Sequence, residues 1–463
     1  MQDPKPASRG VDWRFIAYNL LLALLSPLIG LYLLWRMVIR GKSRTGLGER
    51  FGRVPASAAE LASHDDPVVW FQACSVGEVG AVAPIIAALR ELEPLCHVVL
   101  STTTPTGREA AERRHIEVDS LLYFPFDLPF VVGSALGAVK PDLLVMVETE
   151  LWPNVLATAR SMGVRTAVVN GRISDRAFPR DRAIRPLMAW IMDSLERILV
   201  QSDKDAERFA ALGADPARLE VLGNTKFDED LPTVSAAEAA LLRLELSLPE
   251  DAPVLVAGST REGEEERVLD AFVLMRETHR DLQLIIAPRH PERGEAVERL
   301  VMDRGFAAYR RSRAVQEDDV VSSEPGLGAQ VRVVILDTIG ELTRFYSLAT
   351  VAFVGGSLVP WGGHNILQPI ALDKPTVMGP HMHNQQDIAD IALRAQAAVM
   401  VSDAEELARV ASGIISSPAE QSLLITRGRA MLDAQRGASR RYAERLAAML
   451  EPLHDVAAAP SKE

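Results

Sequence analysis

From Val68 to Val401, short runs of apolar and β-branched residues alternate with helix-length stretches, and this rhythm leaves few folds open. A strand, a crossover helix and the next strand, repeated, build a parallel sheet covered by helices on both faces. Strands are expected at Val68 to Phe71, Val98 to Ser101, Leu121 to Phe124, Leu143 to Val147, Thr166 to Val169 and Ile198 to Val200. A second set follows at Val254 to Ala257, Leu284 to Ile286, Val331 to Leu336, Val351 to Val354, Thr376 to Met378 and Ala398 to Val401. The class is α/β, and so many strands fit two doubly wound sheets better than one very wide one. A chain of 463 residues has room for two or three domains. The acidic, proline-bearing stretches Asp228 to Thr233 and Pro249 to Pro253 mark a linker, with the boundary near Asp230. The expected division is an N-terminal segment 1–50, a first Rossmann-like domain 51–230 and a second 231–463. Two such domains face one another across a cleft, and ligands of these sheets bind beyond the C-terminal strand ends.

Before the first strand lies a different kind of segment. Phe15 to Trp35 is 21 residues without a formal charge, about 31 Å as a helix at ~1.5 Å per residue, which matches the hydrocarbon thickness of a bilayer. Trp13 and Tyr18 stand near one end and Tyr32 and Trp35 near the other, where amphipathic rings favour the interface. No small-residue cleavage site follows, so the segment reads as a retained membrane anchor. Arg36, Arg40, Lys42, Arg44, Arg50 and Arg53 outnumber Lys5, Arg9 and Arg14 in front, which favours an anchor in the inner membrane with a cytoplasmic body. Ser26-Pro27 and Gly30 admit a kink, leaving a monotopic insertion open beside a span.

Charge narrows the ligand classes. Fifty Lys and Arg against 62 Asp and Glu give a net charge of −12, the wrong field for a general nucleic-acid binder. Any anionic ligand must therefore meet local positive charge. Cys74 and Cys96 have neither a metal-ligand spacing nor the makings of a disulfide framework.

The loops after the strands carry the candidates. Ser75-Val76-Gly77-Glu78 places a carboxylate at a strand-to-helix junction, either as a cap on the helix dipole or as a general base. Glu148 and Glu150 end the apolar strand Leu143 to Val147; i and i+2 of an extended chain face one side, where mutual repulsion raises one pKa. Lys226 and Arg289 supply positive charge in the same loops. Gly258-Ser259-Thr260-Arg261-Glu262, Gly355-Gly356-Ser357 and Gly362-Gly363-His364-Asn365 are turns of the kind that let backbone N–H groups approach phosphate, although Ser259 with Glu262 also fits a capping box. None is a P-loop, and His381-Met382-His383 lacks carboxylates at a metal-binding spacing, so no metal site is expected.

Taken in order, eight motifs resemble a known family. They are Ser75-Val76-Gly77-Glu78, Thr104-Pro105-Thr106-Gly107, Phe124-Pro125-Phe126-Asp127, Glu148-Thr149-Glu150-Leu151-Trp152-Pro153, Lys226-Phe227-Asp228, Pro288-Arg289-His290-Pro291-Glu292-Arg293, Gly340-Glu341-Leu342 and Phe353-Val354-Gly355-Gly356-Ser357-Leu358. Together, from about Arg44 to Val401, the chain resembles the 3-deoxy-D-manno-octulosonic acid (Kdo) transferases of lipopolysaccharide synthesis. The resemblance implies a GT-B glycosyltransferase, with an N-terminal domain for a lipid acceptor, a C-terminal domain for a nucleotide donor and the site between them. It implies inverting transfer of Kdo from CMP-Kdo to a hydroxyl of a tetraacylated lipid A precursor, with no cofactor. By matching motif, Glu78 would be the base, and Glu148 and Lys226 would stabilise the transition state. CMP would be held by Pro288 and Arg289, by Ile339, Gly340 and Glu341, and by Asn365, Ile366, Leu367 and Gln368. The family often carries Glu where this chain has Gln368, and an amide still hydrogen-bonds a ribose hydroxyl but brings no charge.

Two other readings stand beside it. Another GT-B transferase or a sugar-nucleotide epimerase shares the fold, although an epimerase needs no membrane anchor. A tethered binding protein with a dead site is of a different class, and the presence of Glu78, Glu148, Lys226 and Arg289 speaks against it.

Overall fold

The computed structural model describes residues 13–39, 45–228, 233–316 and 332–457. The basic residues Lys5, Arg9, Arg40, Lys42 and Arg44 and the expected linker at 229–232 lie outside the described residues. Two compact units emerge, one of Met1–Glu229 with Gln435–Glu463, the other of Asp230–Ala434.

The first unit is built on a seven-stranded sheet of β1 (Val68–Gln72), β2 (His97–Thr102), β3 (Ser120–Tyr123), β4 (Leu143–Val147), β5 (Arg165–Gly171), β6 (Arg197–Val200) and β7 (Leu219–Val221). Its order is β3-β2-β1-β4-β5-β6-β7, parallel throughout. Every side chain of β1 and β4 is buried, because helices cover both faces, which is why these strands are apolar without alternation. The strand order reverses between β1 and β4, so the loops after these two strands lie at the switch point where ligands of such sheets bind.

The second unit repeats the plan with β8 (Val254–Thr260), β9 (Gln283–Pro288), β10 (Ala307–Arg310), β11 (Arg332–Ile335), β12 (Val351–Val354), β13 (Thr376–Met378) and β14 (Ala398–Met400). The order is β10-β11-β9-β8-β12-β13-β14, again all parallel. The expected strands are all present, and β7 and β10 are additional. Both additions lie at a sheet edge, and β10 is only half-buried along its length, so neither carries the apolar run that marks a central strand.

The C-terminal segment corrects the expected division. The helix Ala438–Ala457 packs on the helix Val76–Leu92 of the first unit, burying Tyr442, Leu446 and Leu450 in the same core as Val82, Ile86 and Leu89. Asp228 fastens its start by accepting hydrogen bonds from the backbone N–H of Gly437 (2.7 Å) and Ser439 (2.6 Å).

The N-terminal apolar segment is helical over Trp13–Ile39. Among the described residues, no helix is long and apolar enough to cross a membrane. One end of this helix is tied to the first unit: Tyr18 donates to Asp127 (2.8 Å), Asn19 donates to Asn154 (2.8 Å), and Phe15 meets Trp190 with ring centroids 6.3 Å apart. Leu20, Leu21, Leu24, Leu28 and Leu31 beyond this attachment are exposed.

Candidate active site

In the first unit, β1 ends in a tight connection that hands the chain to the helix Val76–Leu92, and Glu78 sits in its first turn. The carboxylate folds back over the connection, accepting from the Cys74 backbone N–H (2.6 Å) and the Ser75 hydroxyl (2.9 Å). Thr104 braces the same turn from the next loop, donating to the Cys74 carbonyl (3.0 Å) and accepting from Gly107 N–H (3.1 Å). Gly107 packs tightly there: a Cβ would meet Thr104 Oγ1 at 2.9 Å and the Cys74 carbonyl oxygen at 3.1 Å. The Cys74 and Ser75 contacts both tie the Glu78 carboxylate to the connection ahead of the helix rather than to the helix's own first N–H groups.

Ligating atoms of Cys74, Glu78 and Glu150 all lie within 4.8 Å of one another. Burial, and then the charges of Glu150 and Glu148 set against the Cys74 N–H, push the Glu78 carboxyl up to about 7. Burial, and then the charges of Glu150 and Glu78, push the Cys74 thiol up to about 11, so it stays protonated.

Glu148 and Glu150 do not act as a side-by-side pair. Glu148 adopts a left-handed backbone (φ +58°), which breaks the alternation that would have aimed both the same way. Glu150 turns toward Cys74 and Glu78 and accepts from the Trp152 indole (2.9 Å). Glu148 is turned to Arg172, 3.9 Å away, and burial raises its pKa against the opposing charges of Arg172 and Lys226. Lys226 lies in the 3₁₀ turn Thr225–Phe227, where Phe227 is buried and Asp228 is committed to the C-terminal helix. Among the described residues no carboxylate lies within ion-pair distance of its ammonium, although Glu148 feels its charge. The first unit thus brings Glu78, Glu148 and Lys226 to the C-terminal ends of one sheet, two carboxylates raised and one cation beside them.

In the second unit the loops after β8, β9 and β12 converge on positive charge. Pro288 closes β9 and is buried; Arg289 follows, exposed, its backbone N–H bonded to the Thr260 carbonyl (2.9 Å). Arg261 lies over the Trp361 ring at 5.0 Å and meets His290 Nε2 at 2.7 Å. Burial, with Arg261, Arg289 and His290 nearby, lowers the His364 pKa to about 4, so its imidazole is neutral. In the sequence Arg261 and His364 stand only as members of two separate glycine-bearing turns, 103 positions apart, and the fold alone joins them.

One buried acid shapes this region. Glu264 accepts from the backbone N–H groups of Gly356 (2.6 Å), Ser357 (2.9 Å), Leu358 (2.8 Å) and Arg261 (3.2 Å). The Gly-Gly-Ser turn is therefore already occupied by the Glu264 carboxyl, whose pKa burial raises against these four N–H bonds. Gly355 packs so closely that a Cβ would lie 2.7 Å from Glu264 Oε2 and from Thr260 Cα. The capping box expected from Ser259 and Glu262 does not form: Ser259 is left-handed (φ +57°), the Glu262 side chain is 78% exposed, and the helix begins at Glu265.

The other expected donor residues occupy neighbouring loops of this unit. Ile339 is exposed and Gly340 has φ +90°. Glu341 accepts from Arg311 (3.1 Å), and although burial works to raise its pKa, Arg311 and Thr338 bring it below the usual range. Asn365 accepts from the Leu367 N–H (2.9 Å) just ahead of the helix Leu367–Ala371, whose N-cap is Ile366. The side chains of Ile366 and Leu367 are buried in the core, whereas Asn365 and Gln368 are half-exposed. Within the stretch 365–368, only Asn365 and Gln368 can therefore offer side chains to a ligand.

Comparison with known proteins places the chain as a whole. Residues 45–229 match the model of a family described as 3-deoxy-D-manno-octulosonic-acid transferase (kdotransferase). The 3-deoxy-D-manno-octulosonic acid transferase of Bordetella pertussis is 34% identical over 93% of this chain and 98% of its own. That of Haemophilus influenzae is 31% identical over 95% of this chain and 99% of its own. A glycosyltransferase crystal structure from Rickettsia africae, 11% identical, superposes with a TM-score of 0.56 over 84% of this chain and 99% of its own, which shows the shared GT-B-like fold. On sequence relationship across nearly its whole length, the chain belongs to the Kdo transferase family of glycosyltransferases.

Proposed function

We propose that the protein transfers Kdo from CMP-Kdo to a hydroxyl of a tetraacyl lipid A precursor, in the synthesis of lipopolysaccharide, with inversion at the anomeric carbon. The observation that carries the reading is Glu78, a carboxyl held at a helix start, flanked by acids and raised to about 7. A general base works best with a pKa near the working pH. In the reaction the acceptor oxygen forms a bond to the anomeric carbon, the bond from that carbon to the CMP phosphate oxygen breaks, and the hydroxyl proton passes to Glu78. Lys226 and Glu148 contribute to the field that stabilises the transition state, and Arg289 offers its guanidinium to an anionic donor. Pro288, the 339–341 turn, Asn365 and Gln368 complete the donor contacts.

For localisation, the reading is association with the cytoplasmic face of the inner membrane through the helix Trp13–Ile39. Its exposed leucines support insertion in the plane of the interface, and the Tyr18 and Asn19 hydrogen bonds keep the first unit next to the lipid acceptor. Holding enzyme and acceptor at one surface raises their effective concentration.

The test is a transfer assay with purified full-length protein in detergent, CMP-Kdo generated in situ and tetraacyl lipid A precursor, read by mass spectrometry. A mass gain of one or more Kdo units supports the reading. Absence of any gain from folded, CMP-binding protein overturns the choice of substrates and turns attention to other sugar nucleotides.

A further inference from the structure

At the other end of the first sheet, about 16 Å of strand away from the Glu78 loop at ~3.3 Å per residue, a second cluster of chemistry-bearing side chains takes no part in the transfer. His64 and Asp66 lie in the turn that leads into β1, His97 opens β2, and Asp119 stands immediately before β3. The parallel register sets these strand entrances side by side, with Val68 opposite His97 and Val99 opposite Ser120.

The imidazoles of His64 and His97 meet edge to face with centroids 4.8 Å apart. One nitrogen from each ring and one carboxylate oxygen of Asp66 all lie within 4.8 Å of one another. Behind them, Asp119 Oδ1 is 3.5 Å from His97 Nδ1. Its other oxygen is held by the Val98 backbone N–H (2.7 Å) and by Arg90 (2.6 Å). A proton on Nδ1 directed at Asp119 leaves the lone pair on Nε2. That atom is buried and, among the described residues, has no hydrogen-bond partner. A carboxylate behind one nitrogen and an unmet lone pair on the other is the arrangement of a metal-binding histidine.

We propose that His64, Asp66 and His97 bind a single divalent transition-metal ion of the zinc class, with Asp119 as the outer carboxylate that orients His97. Two imidazoles and a carboxylate suit a borderline cation with water in the fourth position, and disfavour magnesium or calcium, which take oxygen ligands. Tetrahedral bonds of about 2.0–2.1 Å place ligand atoms roughly 3.4 Å apart, so the cluster closes by about 1 Å when the ion enters. The turn at 62–67, which carries the exposed His64, supplies that movement. The ion ties the entrance of β1 to that of β2 and stabilises the unit without touching the acids at the opposite strand ends.

The experiment is titration of chelator-treated full-length protein with Co²⁺, followed by visible absorption, then displacement by Zn²⁺ and thermal unfolding. One equivalent of Co²⁺ with nitrogen and oxygen ligand-field bands is expected. Zn²⁺ should raise the unfolding midpoint of the wild type. His64→Ala and Asp66→Asn, in the exposed turn, should abolish the bands and the thermal gain while leaving the circular dichroism spectrum unchanged. Asp119→Asn should weaken affinity by about 10- to 100-fold. His381→Ala/His383→Ala should bind as the wild type does. No stoichiometric uptake, uptake undiminished in His64→Ala, or a thiolate charge-transfer band that moves the ion to Cys74 would each overturn the proposal.

Discussion

Replacing Glu78 by Gln should make the enzyme slower and more stable, and the stability gain should depend on pH. A carboxyl ordinarily near 4.5 stands at about 7 in the folded protein, because burial and the charges of Glu150 and Glu148 oppose its ionisation. A folded-state pKa above the unfolded one means the native state binds the proton more tightly. The group's contribution is then most favourable below 4.5 and is lost as pH rises through 7. At ~1.36 kcal/mol per pKa unit, the raised Glu78 pKa disfavours the fold by about 1 kcal/mol at pH 5 and at most about 3 kcal/mol at pH 8, relative to a carboxyl that titrates normally or to an amide. The amide of Gln has no charge to desolvate, still accepts from Cys74 N–H, and can donate toward Glu150. Calorimetry of wild type and Glu78→Gln should therefore show the variant's advantage growing between pH 5 and pH 8 by roughly 4 °C, at about 2 °C per kcal/mol for a unit of this size. Turnover at pH 8 should fall by about 10² to 10⁴, the usual contribution of a general base, while CMP binding by calorimetry stays unchanged. Wild-type kcat/KM should rise with pH through about 7. A thermal advantage equal at both pH values refutes the electrostatic account of Glu78, and near-normal turnover in the variant refutes its role as base.

Other outcomes follow from the second unit and the N-terminal helix. Arg289→Ala should weaken CMP binding about tenfold or more in isothermal titration, since a charge-assisted contact is worth ~1.5–3 kcal/mol. Unchanged affinity removes Arg289 from the donor site. Glu264→Gln replaces one of the two oxygens that four backbone N–H groups are arranged around with an N–H donor, and should lower the unfolding free energy by about 2 kcal/mol or more together with donor affinity. Gly355→Ala should destabilise the same turn, because the neighbours a Cβ meets at 2.7 Å include Thr260 backbone that cannot swing aside. Tyr18→Phe should leave turnover of a detergent-dispersed acceptor intact but increase hydrogen exchange in the helix Trp13–Ile39, since its bond to Asp127 is removed.

The architecture was legible because both sheets are parallel and buried on both faces, so central strands such as Val68–Gln72 and Leu143–Val147 are apolar at nearly every position. Edge strands are different. Leu219–Val221 and Ala307–Arg310 are partly exposed, and their composition resembles that of ordinary loops. The path of the final helix was equally hidden: Tyr442, Leu446 and Leu450 form a plausible core stripe for any neighbour, and the choice of the first unit is made by Asp228 and the surface of Val76–Leu92. At the site, residue types and strand-end positions were readable, while their chemistry was not. Glu78 is marked by sequence as an acid at a helix start, but its raised pKa comes first from burial in the fold and then from the charge of Glu150, 72 positions away.

The pair Glu148 and Glu150 shows where pattern reasoning fails for a physical reason. Alternation holds only while the backbone stays extended, and Glu148 leaves that region at φ +58°, a conformation unfavourable for a residue with a Cβ. The turn separates the two carboxylates into different surroundings, Glu150 with Glu78 and Cys74, Glu148 with Arg172 and Lys226. Were both to face Glu78 at full charge, the base would be pushed further up and would be protonated at neutral pH. With Glu148 turned toward cations, Glu78 stands near 7, the range in which the proposed base would be ionised often enough to accept a proton. Glu148→Gly, which adopts the same backbone without strain, separates the two effects. The fold should tolerate it, whereas the pH at which kcat/KM rises should fall, because one of the charges that raise Glu78 is gone. An unchanged pH profile in that variant would mean that the left-handed turn serves the backbone alone.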